Sequence, residues 1–349
     1  LQTREQVEAN VASQRKIFES LLDFDAGCAN RAVLVNNLDW LEPLGFLEVL
    51  RDVGKYFSVN AMIQKDSVKD RLENREQGIS YTEFSYMLLQ AYDFMHLRNE
   101  INCTVQIAGS DQYGNIVSGI DLIRRAMIDT PSDVARGYGV TGPLVTKSDG
   151  TKFGKSESGA VWLSPDRTSP YAFYQFWLNA ADADVPTYLR FFTELSQEEI
   201  ESVEASHDQS PHERQAQRLL ADTVTAMVHS SDDALRAREA SAALFSGEVE
   251  SLPADLLAEV IADVPHSDHD KSSLSGGAAL VDVLVSTTLA SSKREAREFL
   301  KSGSVAVNGS RIEAGEGAID ATVDATNLLH GKTILLKRGK KKWHATTWE

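Results

Sequence analysis

The 349-residue sequence carries 35 Lys and Arg against 51 Asp and Glu, for a formal net charge of −16, with 42% hydrophobic and 25% charged residues. Those proportions belong to a globular chain and exclude global disorder, a collagen-like repeat and a disulfide-stapled miniprotein. No apolar run approaches the ~20 residues of a membrane span, and the acid excess argues against a chain that coats nucleic acid everywhere.

In chain order, Val7, Val11, Phe18, Leu21 and Leu22 fall at helical spacing between Thr3 and Phe24. The apolar run Ala32–Val35 then reads as a buried strand that stops at Asn36-Asn37. Helices are predicted over Pro43–Val53, Ser58–Leu72 and Thr82–Leu97. Thr104–Ile107 is a strand ending at Gly109-Ser110-Asp111, Asn115–Met127 a helix and Pro143–Val145 a further strand. Alternating strands and helices of this kind imply an α/β domain with a mainly parallel sheet, whose ligands sit beyond the carboxyl ends of the strands.

From Ser169 the pattern turns all-helical. Ser169-Pro170 is a cap with proline at the first helical position, Ser196 with Glu199 is a capping box, Ser210-Pro211 opens a helix to about His229, and Asp232–Leu244 ends at Gly247. The stretch from Val264 to Gly277 is polar and without period, and reads as a linker. His266 and His269 within it lack a third ligand cluster, and a solvated linker is the simpler reading. The tail is a small α/β unit: a helix over Val281–Thr287, a capping box at Ser292 and Glu295 opening Lys293–Lys301, a strand at Val305–Val307, an Asn308-Gly309 hairpin turn, and β pattern over Lys332–Lys337 and Trp343–Trp348. Residues 277–349 hold eleven Lys and Arg against eight Asp and Glu, leaving +3 there and −19 on residues 1–276. A basic end on an acidic body fits a module with a polyanionic partner.

Three constellations can carry chemistry. Tyr86, Gln90 and Asp93 lie at i, i+4 and i+7, opposite the apolar stripe Phe84, Met87, Leu88, Ala91 and Met95. A phenol, an amide and one carboxylate suit a polar pocket better than a solvated face, which favours Lys and Glu. Gly109-Ser110-Asp111-Gln112 follows a strand: glycine permits close backbone approach and Asp111 can hold ribose hydroxyls, although an ordinary turn has the same composition. Lys152-Phe153-Gly154-Lys155-Ser156 puts two lysines three apart in a glycine-containing loop. It misses the Walker A spacing by one residue, leaving a phosphate-gripping loop or a basic surface turn. Cys28 and Cys103 make no CxxC pair and no zinc spacing, so no metal site is expected and a reducing cytoplasm fits.

Taken together, these residues resemble a bacterial tyrosyl-tRNA synthetase, a class I aminoacyl-tRNA synthetase. Lys152–Ser156 is similar to that family's KMSKS variant, Tyr86-x-x-x-Gln90-x-x-Asp93 and Gly109-Ser110-Asp111-Gln112 to its tyrosine and nucleotide motifs, and Gly277–Ile312 to an S4-type RNA-binding domain. The resemblance implies a partial Rossmann-like parallel-sheet catalytic domain over 1–160, a helical anticodon-side domain over 161–250, a linker over 251–276 and an S4-like α/β domain over 277–349. It implies that Tyr86 and Gln90 hold the amine of L-tyrosine, Asp93 its phenolic hydroxyl, and that Gln112 also faces it. Gly109 and Asp111 would take the adenylate ribose, with Lys152, Gly154 and Lys155 completing the ATP contacts. Lys152, Lys155 and Ser156 would neutralise the leaving pyrophosphate by charge and position. Lys293, Arg294, Arg297 and Lys301 would meet tRNA(Tyr). ATP would arrive with Mg²⁺ and no tightly bound cofactor, and the enzyme would be a cytoplasmic homodimer without a membrane segment.

The sequence also departs from that family. None of its eight histidines forms the H-x-G-H motif that grips ATP phosphates, Tyr113 stands where tryptophan is usual, and the likeness begins partway into the fold. With Leu1 first, Met62 the earliest methionine and no signal pattern before it, the expectation is a processed or internal start, the first part of the catalytic domain absent and the chain inactive alone. The alternative is a non-catalytic RNA-binding protein that keeps the S4-like module.

Overall fold

The computed structural model describes residues 2–74, 78–128, 136–151, 153, 155–156, 159–339 and 342–349. They fall into two compact units: Val33–Phe153 is one, and Leu1–Ala32 with Gly154–Glu349 is the other.

Helix α1 (Arg4–Leu21) opens with a capping box, Thr3 accepting the Gln6 N–H and the Gln6 side chain accepting that of Thr3. It buries no residue. The strand expected at Ala32–Val35 does not form among the described residues: the segment joins no ladder and its three large apolar side chains, Val33, Leu34 and Val35, are exposed. Hydrophobicity alone does not make a strand, because its backbone groups need a paired neighbour.

The two helices predicted next are broken into short pieces. α2 (Leu38–Leu41) and α3 (Phe46–Glu48) lead through a π-turn (Val49–Val53) to α4 (Val59–Ile63) and α5 (Asp66–Asn74). The long α6 (Tyr81–Ile101) matches its predicted position and extends it at both ends. β1 (Val105–Gly109), α7 (Tyr113–Ala126) and β2 (Tyr138–Gly142) complete the unit. β1 and β2 pair in parallel from Val105↔Tyr138 to Gly109↔Gly142. The second strand thus ends before Pro143, not at Pro143–Val145 as expected, and a proline without an N–H is a poor rung for a ladder.

In the other unit, β3 (Lys155–Ser156) and β4 (Gly159–Ala160) form a small antiparallel pair. Helices α8 (Pro170–Leu178), α9 (Val185–Phe192), α10 (Gln197–Gln209), α11 (Gln215–Val228) and α12 (Ser231–Ser246) follow. Their caps are those read from sequence: Ser169 accepts from the Ala172 N–H, Ser196 and Glu199 cap each other's backbone, and Gly247 ends α12 with φ +93°. Ser210-Pro211 opens only a single 3₁₀ turn, and α11 starts after Arg214, whose φ is +54°.

The segment read as a linker is ordered structure. α13 (Ala254–Asp263) buries Leu256, Leu257 and Val260, and β5 (His266–His269) pairs in parallel with the last strand of the chain. Polar side chains hid this strand, whose backbone supplies the pairing. β6 (Ala278–Ala279), α14 (Leu280–Ser286), α15 (Lys293–Lys301), β7 (Val305–Val307), β8 (Ser310–Arg311), β9 (Thr322–Val323), β10 (Thr333–Arg338) and β11 (Lys342–Trp348) complete the C-terminal module. Its five-stranded sheet runs β5-β11-β10-β7-β8 over a core that includes Leu280, Leu284, Leu300, Ile334 and Leu336.

This module packs on the end of α12. Gly309 (φ +84°) lies so close to Gly247 that a Cβ on it would stand 1.8 Å from the Gly247 carbonyl oxygen. Lys337 donates to the Leu244 carbonyl at 3.2 Å, and His330 Nε2 to that of Leu252 at 2.8 Å. Among the described residues no helix is long and apolar enough to cross a membrane.

Candidate functional site

Ser80 fixes the start of α6: its hydroxyl accepts the Glu83 N–H, and the Glu83 carboxylate takes that of Ser80. From this start the helical period puts Met87, Ala91 and Phe94 in the core. Tyr86, Gln90 and Asp93 fall on the other side, Tyr86 exposed and the other two half-buried. Gly119 of α7 lets the two helices approach, since a Cβ there would meet Phe94 at 3.0 Å.

Asp93 is held at both oxygens. Trp40 Nε1 donates to one at 2.7 Å and Asn37 Nδ2 to the other at 3.1 Å, and the Trp40 indole stacks on His96 with centroids 4.5 Å apart. Each oxygen keeps a lone pair for a further donor such as a phenolic hydroxyl. Gln90 belongs to a second chain: Asn115 Nδ2 donates to Gln90 Oε1 at 2.9 Å and to Gln112 Oε1 at 3.1 Å, while Gln112 Nε2 donates to Asp111 at 3.3 Å. Four polar side chains from α6, the 109–112 turn and α7 are thereby oriented together before any substrate arrives.

Gly109 ends β1 close to two neighbouring side chains, which would have to move to admit a larger residue. A Cβ there would lie 2.7 Å from Asp111 Oδ1 and 2.9 Å from Leu144 Cδ2. Both parallel strands end at this level, and the turn stands beyond their carboxyl ends, as the sequence predicted. Lys65 donates to the Gly114 carbonyl and the Ser118 hydroxyl of α7, and burial lowers its pKa. Tyr113 is exposed at the first position of α7.

In the lysine loop, Asp149 accepts from the Thr151 hydroxyl at 2.6 Å and its N–H at 2.8 Å, which holds its carboxyl below the usual range. Lys152 and Gly154 lie outside the described residues, and Lys155 and Ser156 form β3. On the C-terminal module, Lys293 pairs with Asp282 at 2.6 Å and Lys301 with Glu316 at 2.9 Å. Arg294 and Arg297 are exposed on the same helix. Among the described residues no group of three His, Cys, Asp or Glu could hold a metal ion.

Of the side chains in these two hydrogen-bonded groups, the sequence named Gln90, Asp93, Asp111 and Gln112 as candidates and did not name Asn37, Trp40 or Asn115; Tyr86 is exposed on the same helix. Asn37 and Asp93 are 56 residues apart, and no local period links them; the only trace was the Asn36-Asn37 stop after an apolar run.

Residues 1–246 match the family model of class I tRNA synthetases (W and Y), and residues 257–346 that of the tyrosine–tRNA ligase SYY-like C-terminal domain. The chain is 46% identical over 350 residues to a tyrosine–tRNA ligase of Dechloromonas aromatica, covering 100% of this chain and 79% of that protein. It is 46% identical over 344 residues to one from Geobacillus kaustophilus, covering 99% and 78%. A C-terminally truncated mitochondrial tyrosyl-tRNA synthetase of Coccidioides posadasii has a similar structure, with TM-score 0.58, 32% identity and 68% of each chain covered.

Proposed function

The chain belongs to the tyrosine–tRNA ligases among the class I tRNA synthetases, and on that premise we propose that its residues activate L-tyrosine with ATP and pass the tyrosyl group to the 3′ end of tRNA(Tyr). In the first step a tyrosine carboxylate oxygen bonds to the α-phosphorus and pyrophosphate leaves. In the second a terminal ribose hydroxyl displaces AMP. The single observation that carries the reading is the Asp93 carboxylate, fixed at both oxygens by Trp40 and Asn37. Such a group accepts a hydrogen bond from a phenolic hydroxyl without reorganising.

Around it, Tyr86 and Gln90 take the amine, Gln112 faces the same substrate, and Gly109 and Asp111 take the ribose. Lys152, Gly154, Lys155 and Ser156 meet the phosphates of the ATP–Mg²⁺ complex, and the lysines balance the charge that develops on pyrophosphate. Arg294 and Arg297, exposed on α15, offer guanidinium groups to tRNA phosphates, with Lys293 and Lys301 joining after exchange of their surface ion pairs, which are worth little in water. A homodimer in the cytoplasm is the expected working form.

Calorimetric titration of the chain with L-tyrosine and L-phenylalanine tests the central contact. Tyrosine should bind at least tenfold tighter, and Asp93→Ala should remove that preference, as expected for loss of a hydrogen bond to a charged group. Equal affinity for the two amino acids in the parent chain would contradict the assignment.

A further inference from the structure

Asn115, half-buried in the first turn of α7, is hydrogen-bonded to both glutamines of the candidate pocket and through one of them to Asp111. We infer that it is a positioning residue for the substrate amine. It carries the polarity imposed by the Asp111 carboxylate through Gln112 to Gln90, so that Gln90 offers its carbonyl oxygen, and not its NH2 group, to the ammonium of L-tyrosine. The inference rests on the amine-binding role proposed for Gln90.

Three observations support it. First, the chain of bonds has one consistent direction. A carboxylate only accepts, so the Gln112 group that meets Asp111 at 3.3 Å is its Nε2. That turns Gln112 Oε1 toward Asn115, which answers with its Nδ2 at 3.1 Å. The same Nδ2 lies 2.9 Å from Gln90, where an NH2 group requires an acceptor, Oε1. Reversing any one amide would set two donors or two acceptors face to face.

Second, the direction suits an ammonium. Asn115 Nδ2 has two hydrogens, one for each glutamine, and each Oε1 keeps a lone pair. An ammonium has only donors to give, so a glutamine oxygen attracts it and a glutamine NH2 group repels it. An orientation fixed before the substrate arrives spares the complex the entropy of ordering those side chains.

Third, Asn115 is anchored by contacts separate from this chain of amides. The Lys65 ammonium, between α4 and α5, donates to the carbonyl of the preceding Gly114 at 2.5 Å and to the Ser118 hydroxyl, and Ser118 donates to the same carbonyl at 2.8 Å. The turn of α7 that carries Asn115 is therefore held from a different segment of the chain.

Calorimetric titration of the full chain with L-tyrosine and with 3-(4-hydroxyphenyl)propionate, which lacks the amine, tests the inference. The parent should prefer tyrosine, and Gln90→Ala should reduce that preference, as the amine-binding role requires. Asn115→Ala should weaken tyrosine binding about fivefold, the scale of one hydrogen bond, and leave the affinity for the propionate within about twofold of the parent. Asp111→Asn, at an exposed residue whose proposed partner is the ribose, should lower the preference about twofold with no nucleotide present, since an amide both donates and accepts and no longer dictates one direction. A loss shared equally by both ligands in Asn115→Ala would make Asn115 a packing residue, and no loss with either would make it idle. Each overturns the inference, while the effect of Gln90→Ala keeps the amine-binding reading. If the parent binds both ligands alike, or Gln90→Ala leaves the preference intact, that reading falls and the inference with it. Should Asn115→Ala fail to fold, Asp111→Asn carries the test: an unchanged preference overturns the relay.

Discussion

In the parallel pair β1–β2, Val105, Ile107 and Val140 are 41%, 73% and 53% exposed, whereas Ile334, Leu335 and Leu336 of β10 are each 0% exposed. The C-terminal sheet has its own core, and its cationic surface lies elsewhere, on α15. Within Val33–Phe153 the residues that orient the candidate pocket also hold its elements together: Trp40 and Asn37 tie α2 and the segment before it to α6, and Asn115 ties α7 to α6. On the proposed roles, fold and function are carried by different side chains in one region and by the same ones in the other. Substitutions should separate stability from binding in the first and couple them in the second.

The largest expected effect breaks the C-terminal core. Leu336→Ala should cost about 2–5 kcal/mol, the range for a fully buried leucine, and weaken tRNA binding through loss of the module, with tyrosine affinity unchanged. Thermal unfolding combined with tyrosine calorimetry checks this, and a parallel loss of tyrosine affinity would end the claim of separation.

Next in size is Gly309→Ala. The residue has φ +84° and faces the Gly247 carbonyl, while Gly331, at φ +72°, has nothing within 4 Å of an added Cβ. Both alanine variants incur about 1–2 kcal/mol of left-handed strain, and only Gly309→Ala should lose more by pushing the module off the end of α12. Comparing their unfolding midpoints isolates that packing; equal midpoints would show that the close approach contributes nothing.

A smaller effect should come from Trp40→Phe, which keeps an aromatic ring beside His96 and deletes one donor to Asp93. A loss of about 1 kcal/mol in tyrosine binding is expected, together with a lower unfolding midpoint and no change in tRNA affinity. Lowered tyrosine affinity at an unchanged midpoint would break the coupling argued for this unit.

The same contrast explains what could be read from sequence. Caps and periods are local, so Ser169, Ser196, Gly247 and the face Tyr86–Gln90–Asp93 were legible. The pocket's supports were not, because Trp40 and Asn37 reach Asp93 across more than fifty residues of chain. Strands were legible only where a partner pairs with them: Ala32–Val35 looks like a strand and forms none, while His266–His269 looks like a linker and pairs with β11. Pairing is a property of two segments, and hydrophobicity describes one.

Acid should reveal the smallest difference between the regions. Burial lowers the pKa of His229, His269 and His344 below 6.5, and the neighbouring His269 and His266 lower His344 further. All three lie in the unit that contains the C-terminal module. For His344 the hydrogen bonds give the same sign: the Thr288 N–H can only donate, so Nδ1 must accept it, Nε2 carries the proton toward Ser267, and the Ser267 hydroxyl donates to His269 Nε2. A second proton on His344 removes the acceptor of the Thr288 bonds, and one on His269 removes the acceptor of the Ser267 hydroxyl. The folded state therefore binds fewer protons than the unfolded one below pH 6.5, and the stability present above that pH is lost as pH falls through the lowered values. Unfolding midpoints at pH 7.5 and 5.5 should drop in the parent chain and drop less in His344→Gln, whose amide can donate and accept but not titrate. Identical drops would remove His344 from the account and leave His229 and His269 to explain the acid sensitivity.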